Sequence, residues 1–395
     1  MTDIKQTATA LRSLAIFRRL LEEDGIKKLC ALLDAAELPA LEQVSRYAAF
    51  AASLFTYGTN LTDYIWSRII ENENIYVQKR AQRQLTDGVL DACVENELRV
   101  LQAAAQLTPS DIRTHIRYDG FLPGWHTSGM NFAAAFAKLM ENIAVTGYGL
   151  FARHHMLRVK DGVIVPVTNP DPVRLTDLKG YERQKKAVTD NTLALLSGKP
   201  AANALLYGDA GTGKSSTVKA LANEYHSQGL RLIEFGKQQT GDIPFIAEQL
   251  SQSPLKFILF IDDLSFTQQT DDFNAFKAVL EGSVASRTTN IVIYATSNRR
   301  HIVKELFSDR DGDDIHRNET IQELSSLSHR FGLNVGFFKP DKKAFLDIVH
   351  ALKDDYGIRM DEAQLDLEAE RFASAGRSPR TARQFIDMLR RSQPN

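Results

Sequence analysis

Gly208-Asp209-Ala210-Gly211-Thr212-Gly213-Lys214-Ser215 matches the pattern G-x-x-x-x-G-K-[ST] at every fixed position. Glycines let a backbone turn tightly about an anion, and the N–H groups of such a turn converge on phosphate oxygens. Lys214 has the reach for β- and γ-phosphates, and the Ser215 hydroxyl suits a Mg²⁺ ligand. Outward from the loop, Asn203-Ala204-Leu205-Leu206-Tyr207 reads as a short buried strand entering it. Residues 216–225 read as a helix leaving it, whose N-terminus adds partial positive charge beside Ser216. Strand, loop and helix in that order separate a phosphate site from a chance glycine-rich turn.

A phosphate loop needs an acidic partner for its metal. Lys256-Phe257-Ile258-Leu259-Phe260-Ile261-Asp262-Asp263 supplies one, about 50 residues downstream. It is a buried run ending in two acids, at the sheet edge where ligands bind in α/β folds. Asp262 is expected to orient the Mg²⁺ shell, and Asp263 to polarise an attacking water. A second buried run, Asn290-Ile291-Val292-Ile293-Tyr294-Ala295-Thr296-Ser297-Asn298, ends in small polar groups. Asn298 is placed to hydrogen-bond the water or the γ-phosphate; a plain turn residue after a strand is the competing reading.

The chain has 395 residues, too many for one ordinary core. Hydrophobic residues make up 43% and charged residues 25%, as in a globular protein. A net charge of −1 gives no global pull toward nucleic acid or an anionic membrane. Cys30 and Cys93, far apart, suggest neither a disulfide framework nor a zinc site. No apolar signal segment follows Met1, and the longest nearly apolar run, 47–55, is far short of a bilayer span. A soluble cytoplasmic protein without membrane insertion is expected.

Residues 1–147 show helical spacing of apolar residues, with a helix start at Thr108-Pro109-Ser110-Asp111 and a Phe- and Ala-rich helix at 131–145. Residues 148–174 read as strand-like runs at 148–153 and 156–160, an Asp161-Gly162 hairpin turn, a returning strand at 163–167 and a linker. His154-His155 would sit on adjacent strand positions facing opposite ways, a poor metal pair. From 175 to 339, strands at 204–207, 230–235, 257–261, 290–295 and 333–338 alternate with helices at 215–226, 243–252, 272–286 and 318–327. That alternation predicts a parallel α/β sheet. Residues 340–395 read as three helices.

Taken together, these segments resemble an AAA+ ATPase. The loop and the acidic strand match its Walker A and Walker B motifs, and Ala295-Thr296-Ser297-Asn298 resembles sensor 1. Ser328-His329-Arg330-Phe331-Gly332-Leu333 resembles the arginine-finger segment, and Gly376-Arg377-Ser378-Pro379-Arg380-Thr381-Ala382-Arg383 resembles sensor 2. Leu178-Lys179-Gly180-Tyr181-Glu182-Arg183-Gln184 resembles the segment that clasps adenine. The resemblance runs from about Leu175 to Arg391. Within AAA+ it is similar to an uncharacterised bacterial family known as a domain of unknown function, on 261–266, 294–301 and 180–184; the Asp-Asp ending also resembles the replication-initiator and helicase-loader branch.

The resemblance implies an α/β P-loop NTPase core with a parallel sheet and a C-terminal helical lid, preceded by a mainly α-helical N-terminal domain. It implies ATP or ADP with Mg²⁺, bound by Gly180, Tyr181, Gly208, Asp209, Ala210, Gly211, Thr212, Gly213, Lys214, Ser215, Ser216 and Arg380, with Arg383 as the fallback for Arg380. Ser215 and Asp262 would hold the metal; Asp263, Lys214, Asn298 and Arg330 would carry hydrolysis. In AAA+ relatives the finger reaches a neighbour's site, so Arg330 implies a homo-oligomer acting on a protein or nucleic-acid target. One departure stands out: most AAA+ motors carry Glu where this chain has Asp263, one methylene shorter, which predicts slow turnover. Rival readings are a loader or scaffold gated by ATP occupancy alone, and a small-molecule kinase. A GTPase is disfavoured by the lack of an Asn-Lys-x-Asp signature.

Overall fold

The computed structural model describes residues 4–264, 280, 289–298 and 330–392. The helix expected at 272–286, apart from residue 280, that expected at 318–327, and Ser328 and His329 of the finger segment fall outside these described residues. The chain forms two compact units, Met1–Arg153 and His154–Asn395.

The described part of the first unit is helical: α1 (Ile4–Arg12), α2 (Asp24–Leu33), α3 (Ala40–Phe55), α4 (Leu61–Glu71), α5 (Ile75–Ala81), α6 (Gly88–Ala105), α7 (Pro109–Arg113), α8 (Phe132–Glu141), α9 (Ile143–Thr146) and α10 (Leu150–Arg153). Thr108 and Asp111 form a reciprocal capping box at the start of α7, with Pro109 in its first turn, where a missing N–H costs nothing. Tyr47, Phe50, Trp125, Phe132 and Phe136 are buried in its core. Buried Glu97 accepts the N–H groups of Ala15, Ile16 and Phe17 at 2.8–3.0 Å. The carboxylate thereby satisfies three backbone donors where the chain leaves α1.

Residues 148–153 correct an expectation. They contain α10, not a strand. Gly149 has φ +60 and lies so close to Glu73 that a Cβ there would meet Oε1 at 2.1 Å, while Arg153 pairs with Glu71 at 2.5 Å. Packing against the end of α4 overrides the local strand preference.

The second unit is built on one seven-stranded sheet: β1 (Met156–Lys160), β2 (Val163–Pro166), β3 (Ala204–Gly208), β4 (Leu230–Phe235), β5 (Lys256–Ile261), β6 (Ile291–Asn298) and β7 (Leu333–Phe337). Their order is β2-β1-β4-β5-β6-β3-β7. The hairpin, expected in the connection ahead of the core, instead extends the sheet: β2 runs antiparallel to β1, and β1 pairs parallel with β4. His155 precedes β1 and stacks on His226 at 4.6 Å, so the two adjacent histidines are not strand neighbours. All other pairings are parallel. Strands covered on both faces read as unbroken apolar runs, and Phe257 to Ile261 of β5 are fully buried.

Helices α11 (Glu182–Leu196), α12 (Lys214–Tyr225) and α13 (Ile243–Ser251) accompany the sheet. Three more form the lid: α14 (Lys342–Asp355), α15 (Glu362–Phe372) and α16 (Pro379–Ser392). The lid has its own core, with Phe345, Val349, Leu365, Phe385 and Ile386 almost wholly buried. Asp341 and Asp361 cap α14 and α15 by accepting backbone N–H groups of their first turns.

Candidate nucleotide site

The register of the sheet assembles the site. Gly208, the last residue of β3, pairs with Asn298 of β6 and with Phe337 of β7. The strand order thus puts the sensor-like asparagine beside the first glycine of the phosphate loop. Gly208 has φ +130, and a Cβ there would meet the Phe337 carbonyl oxygen at 2.0 Å, so only glycine fits. Gly211 and Gly213 also have positive φ (+80 and +91), which turns the loop into a concavity of N–H groups at the start of α12.

Lys214 is buried and folds back over its own loop. Its Nζ donates to the carbonyls of Gly208 (3.0 Å) and Asp209 (2.8 Å) and to Asn298 Oδ1 (3.2 Å). Burial lowers its pKa from the usual lysine value, opposed by the carboxylates of Asp209, Asp262 and Asp263. Ser215 Oγ donates to Asp262 Oδ1 at 2.6 Å. Asp263 takes a left-handed conformation, φ +53, and its Oδ1 accepts from Asn298 Nδ2 at 2.8 Å. Such a backbone costs a non-glycine residue about 1–2 kcal/mol, so its surroundings must hold it there.

The opposite end of the cleft is mixed, with Asp177, Lys179 and Lys185 beside Tyr181, Phe337 and Ile348. Gly180 (φ +78) lies against Ile348, whose Cδ1 would be 2.9 Å from an added Cβ. Tyr181 (φ +59) turns its ring onto Phe337 and donates its hydroxyl to Phe338 O at 2.6 Å. Burial, with Asp209 nearby, pushes that hydroxyl up to about 12. Lys179 and Asp355 form an ion pair at 2.6 Å between this segment and the lid. The lid also touches the loop directly, where Arg380 N donates to Gly211 O at 3.2 Å.

The cleft encloses about 470 Å³ and is lined by Gly180, Tyr181, residues 210–217, Asp262, Asp263, Thr296, Asn298 and, from the lid, Ile348, Leu352, Arg380 and Arg383. That volume suits a nucleotide-sized ligand. Gly208 and Asp209 are not among the lining residues. They act from behind, and Asp209 Oδ2 accepts from Lys339 N at 2.9 Å, where the chain leaves β7 for the lid. Arg383 is engaged by the Tyr356 hydroxyl (3.1 Å), whereas Arg380 sits on the loop itself. Arg330 is described but does not line this cleft.

Several lining residues carry no site signal in the sequence, among them Lys185, Phe337, Ile348 and Leu352, and Thr296 appears there only within the segment that resembles sensor 1. Thr296 shares a strand face with Asn298, two residues away, and that period was available as a signal. Ile348 and Leu352 recur at i, i+4 on α14, but nothing local says that this face lines the cleft as well as packing on the lid core. The donor set fits Mg²⁺, which keeps its waters and takes one or two carboxylates plus substrate phosphates. One hydroxyl and one carboxylate, Ser215 and Asp262, are already in contact. Among the described residues no cluster of three or more His, Cys, Asp or Glu offers a cage that would suit another ion.

The mostly parallel sheet, the glycine loop entering α12 and the acids closing β5 define the P-loop NTPase fold of the AAA+ class. The chain belongs to the family described as Protein of unknown function (DUF815), which matches residues 151–393. It is similar to the Replication factor C large subunit of Staphylothermus marinus, 33% identical over 117 residues, covering 28% of this chain and 27% of that one. The corresponding subunit of Sulfolobus acidocaldarius is 29% identical over 116 residues, covering 28% and 26%. The chain therefore spans only 27% and 26% of the length of these curated relatives. Among solved structures, the Thermotoga maritima RuvB Holliday junction branch migration motor aligns with a TM-score of 0.37 and 17% identity, covering 56% of this chain and 64% of that chain. Among the described residues no helix is long and apolar enough to cross a membrane.

Proposed function

We propose that the chain is an ATPase that binds ATP with Mg²⁺ between sheet and lid and hydrolyses it to ADP and phosphate. The observation supporting this best is the convergence of Lys214, Ser215, Asp262, Asp263 and Asn298 at one end of a nucleotide-sized cleft. Ser215 and Asp262 would hold Mg²⁺, which would supply charge neutralisation at the transferred phosphoryl group. The loop N–H groups and Lys214 hold the triphosphate, and Lys214 exchanges its carbonyl partners for phosphate oxygens. Asp263 and Asn298 align the water, and Asp263 accepts its proton. Arg330 serves the site of a neighbouring copy in a homo-oligomer. Arg380 reads the γ-phosphate, and because its backbone is bonded to Gly211, loop and lid move together. That movement acts as a switch on a protein or nucleic-acid partner.

A second reading, a loader or scaffold gated by occupancy alone, is favoured by one observation. The short Asp263 side chain is already engaged by Asn298, which holds back the base. Asp263→Asn tests both readings. The variant should bind ATP normally and lose hydrolysis, and wild-type turnover should stay below about 10 s⁻¹, the enzyme median. A variant that hydrolyses ATP at the wild-type rate would overturn the assignment. One that is inactive as an ATPase but retains all cellular activity would select the occupancy reading. Proteins or nucleic acids that co-purify with the ATP-trapped variant identify the partner.

A further inference from the structure

Asp262 and Asp263 do not stand at the end of β5 unaided. Beyond Ile261 the chain turns, and three residues of β6 hold it in sequence. Leu264 N donates to Thr296 O at 2.7 Å, Ser297 Oγ donates to Leu264 O at 2.9 Å, and Asn298 Nδ2 donates to Asp263 Oδ1. At the centre is the Thr296 hydroxyl, in a side chain that is 2% exposed. It accepts the N–H of Asp263 at 2.8 Å and donates to Asp262 Oδ1 at 2.6 Å. A hydroxyl has a single proton. With the Asp263 N–H directed at the oxygen, that proton goes to Asp262. The carboxylate oxygen that meets Ser215 is therefore fixed by two hydroxyl donors, and the left-handed backbone of Asp263 is fixed by the same oxygen.

We propose that Thr296 is a positioning residue for this site: its hydroxyl aims Asp262 at the metal position beside Ser215 and holds the turn that presents Asp263 to the attacking water. The inference rests on the ATPase reading and extends it to a residue that touches neither metal nor nucleotide in that scheme. A purely structural threonine, satisfied inside a strand, would behave differently when changed. It would lower stability without separating metal binding from nucleotide binding.

The test uses the full chain and a fluorescent ADP analogue, titrated first in EDTA and then against Mg²⁺. Thr296→Val keeps the shape and removes the hydroxyl. Its metal-free affinity should stay within about twofold of wild type, while the Mg²⁺ midpoint rises about 10–100-fold, the usual effect of losing a group that orients a metal ligand. Thr296→Ser should restore a wild-type midpoint. A wild-type midpoint in Thr296→Val, or an equal defect in Thr296→Ser, overturns the proposal. Should Thr296→Val fail to fold, Thr296→Ala removes the same hydroxyl and is read by the same midpoint. If both lose metal-free affinity, Thr296 serves folding alone and the proposal falls. A wild-type chain that binds no nucleotide at any Mg²⁺ concentration refutes the ATPase reading itself, an outcome distinct from all of these.

Discussion

Replacing Lys214 with alanine probes the site where its electrostatics are strongest. An ammonium about 4 Å from a phosphate charge, at an effective dielectric constant of 20, contributes about 4 kcal/mol. Part of this is offset, because Lys214 already donates to Gly208 O, Asp209 O and Asn298 Oδ1 and must give up some of these bonds. A charged hydrogen bond is worth about 1.5–3 kcal/mol. The net loss should be about 1–2.5 kcal/mol, or about 5–70-fold in affinity for ATP–Mg²⁺. Equilibrium titration with a fluorescent ATP analogue reads this directly. Thermal unfolding gives a second measure: at a thousand times the wild-type Kd, nucleotide stabilises by about 4.1 kcal/mol, and a fiftyfold weaker variant keeps about 1.8 kcal/mol. Without nucleotide the variant should unfold no earlier than wild type, because burial already disfavours the ammonium. A folded Lys214→Ala protein whose ATP affinity stays within about twofold of wild type would refute the reasoning, because it would lie below the range set by these energies.

Three further outcomes follow from the same geometry. The folded-state pKa of Lys214 lies below its unfolded value, so the unfolded chain binds more protons between the two and nucleotide-free stability rises with pH across that window. Bound triphosphate raises the pKa again. ATP binding should therefore take up protons in the window between the two values, as read by calorimetry in buffers of different ionisation enthalpy, and Lys214→Arg should abolish the uptake. Arg330→Ala should leave ATP affinity unchanged and cut hydrolysis about 10³–10⁵-fold; undiminished steady-state turnover would remove the finger assignment. Gly208→Ala should destabilise the second unit by about 2–4 kcal/mol in denaturant unfolding, because its methyl group meets the backbone of Phe337, which cannot move aside. A stability equal to wild type would contradict the register of β3 against β7.

What could be read from the chain alone was chemistry carried by neighbours in sequence. The phosphate loop, the acids after β5, the Asp161-Gly162 turn and the lid helices each rest on residues within one turn or strand, where steric limits and period-2 or period-3.6 patterns act locally. Tertiary structure decided the rest. Strand order depends on pairing between distant segments, so no local pattern announces that β6 lies between β3 and β5, or that the hairpin joins the sheet through β4. The same non-local pairing sets Asn298 beside Gly208, puts the Thr296 hydroxyl between Asp262 and Asp263, and bends residues 150–153 into a helix against α4. Residue types specify what a site can do; the register between strands specifies which residues meet to do it.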